Sequence, residues 1–209
     1  MREGGEVMRA GQSLAWRMSL FETESFRACE LGAGDVPGLQ QFFEVNPEFF
    51  LNVYGQAPTG NEAQEEFDDA PPDGMAFTRK WVLGMVDGDG AIMGMANVCS
   101  NLVVERVWHL GLFVVASAWH GTGRSRAIYE KLEEWISSQG ATWARLGVVK
   151  GNAKAERFWE KLGFTEVRER GPFPMGTRRN VVRVLVKPLA GGTLADYLAL
   201  VMRDRPGEP

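Results

Sequence analysis

The 209-residue chain holds only two cysteines and two histidines, no long apolar run and no block of basic residues. Each shortage excludes a class of protein. Cys29 and Cys99 sit singly in apolar runs, so they read as small buried hydrophobes in a reducing cytoplasm and not as a disulfide framework. A net charge of −4 with no cluster of Lys or Arg argues against nucleic acid as the main partner. No apolar segment approaches the roughly twenty residues of a membrane-spanning helix, so no membrane partner is expected. Residues 1–17 lack the continuous apolar core of a signal peptide. The string Gly-x-x-x-x-Gly-Lys-Ser/Thr does not occur either, which removes the P-loop.

What is present divides into a leader, one domain and a tail. Residues 1–23 mix glycine with charge of both signs and keep no period; they are expected as a disordered leader or an upstream-start artefact, with Met18 an alternative start. Residues 24–190 suffice to bury one full α/β core, and 191–209 make a terminal helix and tail. A first strand is read at 26–31. Asp35 and Pro37 then start a helix with Leu39, Phe42, Phe43 and Val45 on its apolar face; Asn46-Pro47 interrupts it, and 48–54 continue as a second short helix. Between Gly55 and Gly74, three prolines (Pro58, Pro71, Pro72) bracket Glu62, Glu65, Glu66, Asp68, Asp69 and Asp73, a long acidic loop with a turn or two of helix over 63–67. Such a loop is either a solvated surface or the border of a cationic substrate's site.

Strands are predicted over 76–86 and 91–99 across an Asp-Gly hairpin turn at 87–90, with 107–115 as the central strand. Helix, strand and helix follow over 123–138, 142–149 and 152–163. The last strand pair, 166–170 and 179–186, joins across Gly171-Pro-Phe-Pro174. This order implies a mixed α/β sheet with helices on both faces. Residues 193–202 make an amphipathic helix that either packs on its own domain or offers a homodimer contact.

After the central strand comes Trp119-His120-Gly121-Thr122-Gly123-Arg124-Ser125, then Ala127, Ile128, Leu132, Trp135 and Ile136 at helical spacing. A strand that feeds a glycine turn opening a helix leaves several N–H groups aimed at one point, and the helix start adds partial positive charge there. A Cβ at Gly121 or Gly123 would hold an anion away from those amides. At roughly 1.5–3 kcal/mol for each charge-assisted bond, about four or five would hold a diphosphate without a lysine. A dinucleotide fingerprint is incomplete, because Arg126 stands where its third glycine belongs. Taken alone, the loop also allows a strand-to-helix turn that binds nothing.

A second stretch breaks the tie. Asn152-Ala-Lys-Ala155-Glu-Arg-Phe158-Trp159-Glu-Lys-Leu-Gly163-Phe164 is an amphipathic helix with Asn152 as its cap and Gly163 as its stop. Together with His120 to Ser125, it resembles the GNAT superfamily of acyl-coenzyme-A-dependent N-acyltransferases, whose signatures are Q/R-x-x-G-x-G/A and then N-x-x-A-x-x-F/Y-Y/W-x-x-x-G-F. The two motifs and their strands cover 107–164, with a looser match over 26–189.

The resemblance implies a mixed, mostly antiparallel central sheet with splayed central strands, and transfer of an acetyl group from acetyl-coenzyme A to a primary amine of a small molecule or peptide by direct attack. Acetyl-coenzyme A would be the co-substrate, with no metal. By the same analogy His120, Gly121, Thr122, Gly123, Arg124 and Ser125 hold the diphosphate, and Asn152, Ala155 and Phe158 line the pantetheine and nucleotide. A backbone N–H among Phe113, Val114 and Val115 would polarise the thioester carbonyl. His109, eleven residues before His120, stands where the family often carries the glutamate that takes the amine proton. Its reference pKa of ~6.5 suits that work; the other reading is a partly buried strand histidine, and Glu105 is the fallback base. Two departures stand out. Trp159 occupies a position where many members carry a tyrosine acid, and indole is no acid. That leaves the general acid unassigned and keeps open an inactive acyl-coenzyme-A-binding module, or a nucleotide-binding regulator. Ser125, in place of Gly or Ala, puts a hydroxyl near the phosphates. No motif encodes the acceptor.

Overall fold

The computed structural model describes residues 17–72 and 74–207. Its elements are β1 (Phe21–Glu22), β2 (Arg27–Glu30), α1 (Val36–Val45), α2 (Glu48–Val53), α3 (Glu62–Asp68), β3 (Arg79–Val86), β4 (Ile92–Ser100) and β5 (Val107–Val115), followed by α4 (Arg124–Ser138), β6 (Trp143–Val149), α5 (Ala153–Lys161), β7 (Thr165–Met175), β8 (Arg178–Pro188) and α6 (Leu194–Leu200). The strands make one sheet in the order β1-β2-β3-β4-β5-β6-β8-β7. Only β5 and β6 pair in parallel. The α4 crossover between them makes that possible, because a parallel pair cannot be joined by a tight turn.

Alternation along the strands sends residues to two faces. On one face, Ile128, Leu132 and Ile136 of α4 and Trp159 of α5 cover Ala96, Val98, Leu110 and Leu146. On the other, Leu39, Phe42, Phe43 and Phe50 of α1 and α2 cover Val82, Met95, Leu112 and Val114. Further along that second face, Tyr197 and Val201 pack on Val107, Trp143, Val184 and Val186. The terminal helix therefore packs Tyr197 on its own domain, while Leu194 and Leu200 stay exposed.

Two irregularities of β5 position everything functional. Its pairing with β4 jumps from Val98↔Leu110 to Asn97↔Leu112, so Gly111 is an extra, bulged residue. Its pairing with β6 stops at Leu110↔Leu146. Beyond that point β6 continues only with β8, as far as Val149↔Val182, and β5 continues only with β4, as far as Gly94↔Val115. The central strands part as the resemblance implied. The first residues past the last pair, Gly111 and Gly147, are both exposed although they lie mid-strand.

Elsewhere the structure corrects the sequence reading. Gly171 to Pro174 is not the connection between the last strands: β7 runs through it to Met175, and the turn lies at Gly176-Thr177. β7 is the outermost strand, where proline forfeits no needed ladder bond, and a register shift between Arg170 and Phe173 absorbs the irregularity. The turn then docks on α2. Thr177 N donates to Tyr54 O at 2.9 Å, Arg178 Nη1 to Asn52 O at 2.8 Å and Asn180 Nδ2 to Val53 O at 2.7 Å, which occupies the open carbonyls at the end of that short helix. The leader expected over 1–23 lies outside the described residues up to 16. From Arg17 it joins the domain: Arg17 pairs with Asp35 at 2.6 Å, and Phe21–Glu22 pairs with β2.

Candidate functional site

The turn between β5 and α4 is shaped as its glycines require. Gly121 and Gly123 hold φ of +73° and +85°, and a Cβ built on either would meet no protein atom within 4 Å. The open side of the turn is therefore free for a ligand. The 15-residue helix α4 has no side-chain cap at Gly123; the Arg124 N–H reaches Thr122 Oγ1 at 3.5 Å, and the N–H groups of Ser125 and Arg126 are left open at the positive end of the helix dipole. Thr122 turns inward, its hydroxyl donating to Trp119 O at 2.7 Å, and the Arg124 guanidinium lies 4.9 Å over the Trp119 ring.

Facing the turn across a cleft of about 520 Å³ is the start of α5. Asn152 caps that helix as expected, its Oδ1 accepting from Ala155 N at 3.3 Å. Phe113, Val114 and Val115 form the floor, His120, Gly121, Gly123 and Ser125 one side, and Asn152, Ala155 and Phe158 the other. Of the residues read as coenzyme contacts, only the Thr122 and Arg124 side chains turn away, both toward Trp119. Two further groups of residues line the cleft. Asn46, Glu48, Phe49 and Asn52 close the cleft from α1 and α2, and Arg126, Lys154, Arg157 and Lys161 add cations around it. The last three follow helical spacing on one stripe of α5, a signal visible in the motif. Amides, a helix start and four cations suit a polyanion, so the residues present fit a coenzyme A diphosphate.

His120 works as a brace. Its Nε2–H donates to Val115 O at 2.9 Å and its Nδ1 accepts from Lys154 Nζ at 2.8 Å, while Lys154 also lies 3.0 Å from Glu48. The Lys154 hydrogen bond holds the Glu48 carboxyl below its usual range. The end of β5, α2 and α5 thus meet in one polar cluster at the cleft.

The two expected bases do not fit that role. His109 lies on the sheet face away from the cleft, half-buried, with Nδ1 3.2 Å from Arg145 Nη1. Burial, and then the Arg145 charge, push its pKa down to about 3. A ring whose lone pair already faces a guanidinium is a poor proton acceptor. Glu105 is exposed in the turn before β5, at the far end of the strand from Val115, about 30 Å away at the usual rise per residue. Trp159 is 7% exposed and packs edge-on against Tyr129 and Phe164 at 5.2 Å, so it serves as wall.

Among the described residues no group of three His, Cys, Asp or Glu could hold a metal ion, and no helix is long and apolar enough to cross a membrane. Cys29 and Cys99 are buried free thiols.

Residues 39–164 match the family model described as Acetyltransferase (GNAT) family. Three solved structures with similar folds are an acetyltransferase from Thermus thermophilus (TM-score 0.63, 19% identity, 82% of this chain and 99% of that one), spermidine N-acetyltransferase from Vibrio cholerae (0.61, 15%, 80% and 98%) and ribosomal-protein-S18-alanine N-acetyltransferase from Escherichia coli (0.57, 18%, 80% and 96%). An uncharacterised N-acetyltransferase of Mycobacterium tuberculosis is 30% identical over 101 residues, 48% of this chain. The chain spans 63% of the length of that curated relative.

Proposed function

The chain belongs to the GNAT family of acetyltransferases, and from that membership we propose that it moves an acetyl group from acetyl-coenzyme A to a primary amine of a small molecule or peptide. The observation that carries this reading is the uncapped start of α4 behind two left-handed glycines, open to a cleft ringed by cations. Four roles follow for this chain's own residues. The amides of Gly121 to Ser125 bind the diphosphate, with Arg126, Lys154, Arg157 and Lys161 near enough to balance the remaining phosphate charge. Asn152, Ala155 and Phe158 wall the pantetheine. Past Leu110, β5 has no partner on its β6 side, so strand-edge N–H groups between Gly111 and Val115 can donate to the thioester oxygen as it gains charge. No side chain is assigned as the acid for the departing sulfur; a thiol with a pKa of ~8.5 leaves as thiolate at modest cost.

A cytoplasmic setting belongs to the same proposal. Trp159 in the usual tyrosine position favours a second reading, an acyl-coenzyme-A-binding module without turnover. The deciding experiment follows melting with acetyl-coenzyme A, ATP or NAD, then thiol release with a panel of primary amines. Selective stabilisation by acetyl-coenzyme A with thiol release supports transfer. Stabilisation without release leaves the module, and better protection by ATP or NAD sinks both readings.

A further inference from the structure

Resting on that transfer reading, we propose that Glu66 of α3, on the sheet face away from the coenzyme cleft, binds the acceptor's ammonium group and takes its proton beside the point where β5 and β6 part. Glu66 is half-buried, and its Oε2 accepts from Asn97 Nδ2 at 2.7 Å. Asn97 lies on β4, only 8% exposed, opposite the β5 bulge. A Cβ on Gly111 would sit 3.7 Å from Asn97 Cγ and 3.8 Å from its Oδ1. One amide therefore links the carboxylate to the strand break, where Gly111 and Gly147 leave the sheet floor exposed. The second carboxylate oxygen has no hydrogen-bond partner among the described residues.

The charged and titratable groups around Glu66 come from several elements: Glu65 and Asp69 near it on α3 and just after, Lys80 of β3, Tyr54 after α2 and Cys99 of β4. Burial raises the Glu66 pKa, and the Asn97 bond and Lys80 only partly offset it. A carboxylate moved toward neutrality is a better match to an amine than an ordinary one. His109 shares this sheet face but already spends its lone pair on Arg145.

The proton count closes. Glu66 takes one proton from the ammonium, and the freed nitrogen lone pair forms the C–N bond to the acetyl carbon. The C–S bond breaks with its electron pair on sulfur, the second nitrogen proton goes to that sulfur, and Glu66 returns its proton to water.

The test uses Glu66→Gln, which keeps the shape and an oxygen for Asn97. Thiol release is followed with 1,4-diaminobutane and alanine amide across the neutral pH range. We expect kcat/KM to fall about a hundredfold or more and the acid limb of the profile to vanish, with acetyl-coenzyme A binding and melting unchanged. Glu66→Asp keeps the limb. Asn97→Ala moves it to higher pH, because the carboxylate loses a bond that favours its charged form, which a purely structural Asn97 would not do. Wild-type turnover with an unimpaired Glu66→Gln, or an unmoved limb in Asn97→Ala, overturns this inference alone. Wild-type binding without turnover overturns the transfer reading with it.

Discussion

Asp204 offers the sharpest quantitative test of how the sheet is closed. It is completely buried beneath the C-terminal segment, where Oδ2 accepts from Arg145 Nε at 2.7 Å and Oδ1 from Arg145 Nη2 at 3.0 Å. The Tyr197 hydroxyl donates to Oδ2 at 2.6 Å, and Arg170 lies 3.7 Å away. Asp204→Ala leaves the Arg145 guanidinium, itself 6% exposed, with no counter-ion and a buried phenol with no acceptor. Breaking a buried pair from one side costs about 3–5 kcal/mol; the phenol shares the same oxygen, so its loss does not simply add. For a domain of this size each kcal/mol is worth about 2–4 °C, which puts the expected fall in Tm at roughly 6–20 °C. Burial by itself would raise the Asp204 pKa, but the Arg145 hydrogen bonds and charge, with Tyr197, hold it below the usual carboxylate value. A depressed acid contributes stability that is complete above the unfolded value of ~3.9 and is lost as pH falls through the folded one. The gap between wild type and variant, measured by urea unfolding, should therefore be full at neutral pH and narrow only in acid. Arg145→Met with Asp204→Leu should recover most of the loss, since an apolar pair replaces the ions. A single Asp204→Ala variant within about 1 kcal/mol of wild type at neutral pH would refute the reasoning.

Three other substitutions probe the cleft and its supports. Gly123→Ala asks a residue at φ +85° to carry a Cβ into the anion cradle; calorimetric titration should show acetyl-coenzyme A binding at least about tenfold weaker, the worth of one charge-assisted bond, and an unchanged Kd would count against the cradle. His109→Ala should slow thiol release by less than about tenfold and leave the acid limb of its pH profile in place; loss of that limb would restore His109 as the base. Gly176→Leu puts a Cβ 2.5 Å from Tyr54 O at a position with φ +57°, which should lift the β7–β8 turn from α2 at a cost of about 1–3 kcal/mol, read as a lower Tm with a raised KM for the amine. An unchanged Tm would mean that the turn does not hold α2.

What the sequence disclosed was what local chemistry determines. The Asn152 cap, the Gly163 stop and the positive φ of Gly121 and Gly123 depend on a few adjacent residues, and each stands where its motif placed it. The proline-bearing stretch of β7 misled because proline ends an inner strand but not an outer one, and being outermost is a property of the assembled sheet. Residues 21–22 gave no signal, since two residues carry no period; only pairing with β2 makes them a strand. The free-solution pKa of histidine made His109 attractive, yet its value is set first by burial and then by a guanidinium 36 residues later in the chain.

The two halves of the candidate site differ in legibility for a physical reason. A diphosphate is gripped by main-chain amides, whose directions follow from local dihedral angles, so the grip leaves a compact motif in the sequence. An amine is recognised by side-chain charge, and the charge proposed for it here is assembled from separated segments: Glu66 reaches Asn97 across 31 residues, and the wall helix α2 is fixed through Asn180 to Val53 across 127. No window short enough to show a period spans such distances. Glu66 therefore looked, in sequence, like one more member of a solvated acidic loop. Half-burial against Asn97 beside the β5 bulge separates it from the exposed Glu65, Asp68 and Asp69 around it.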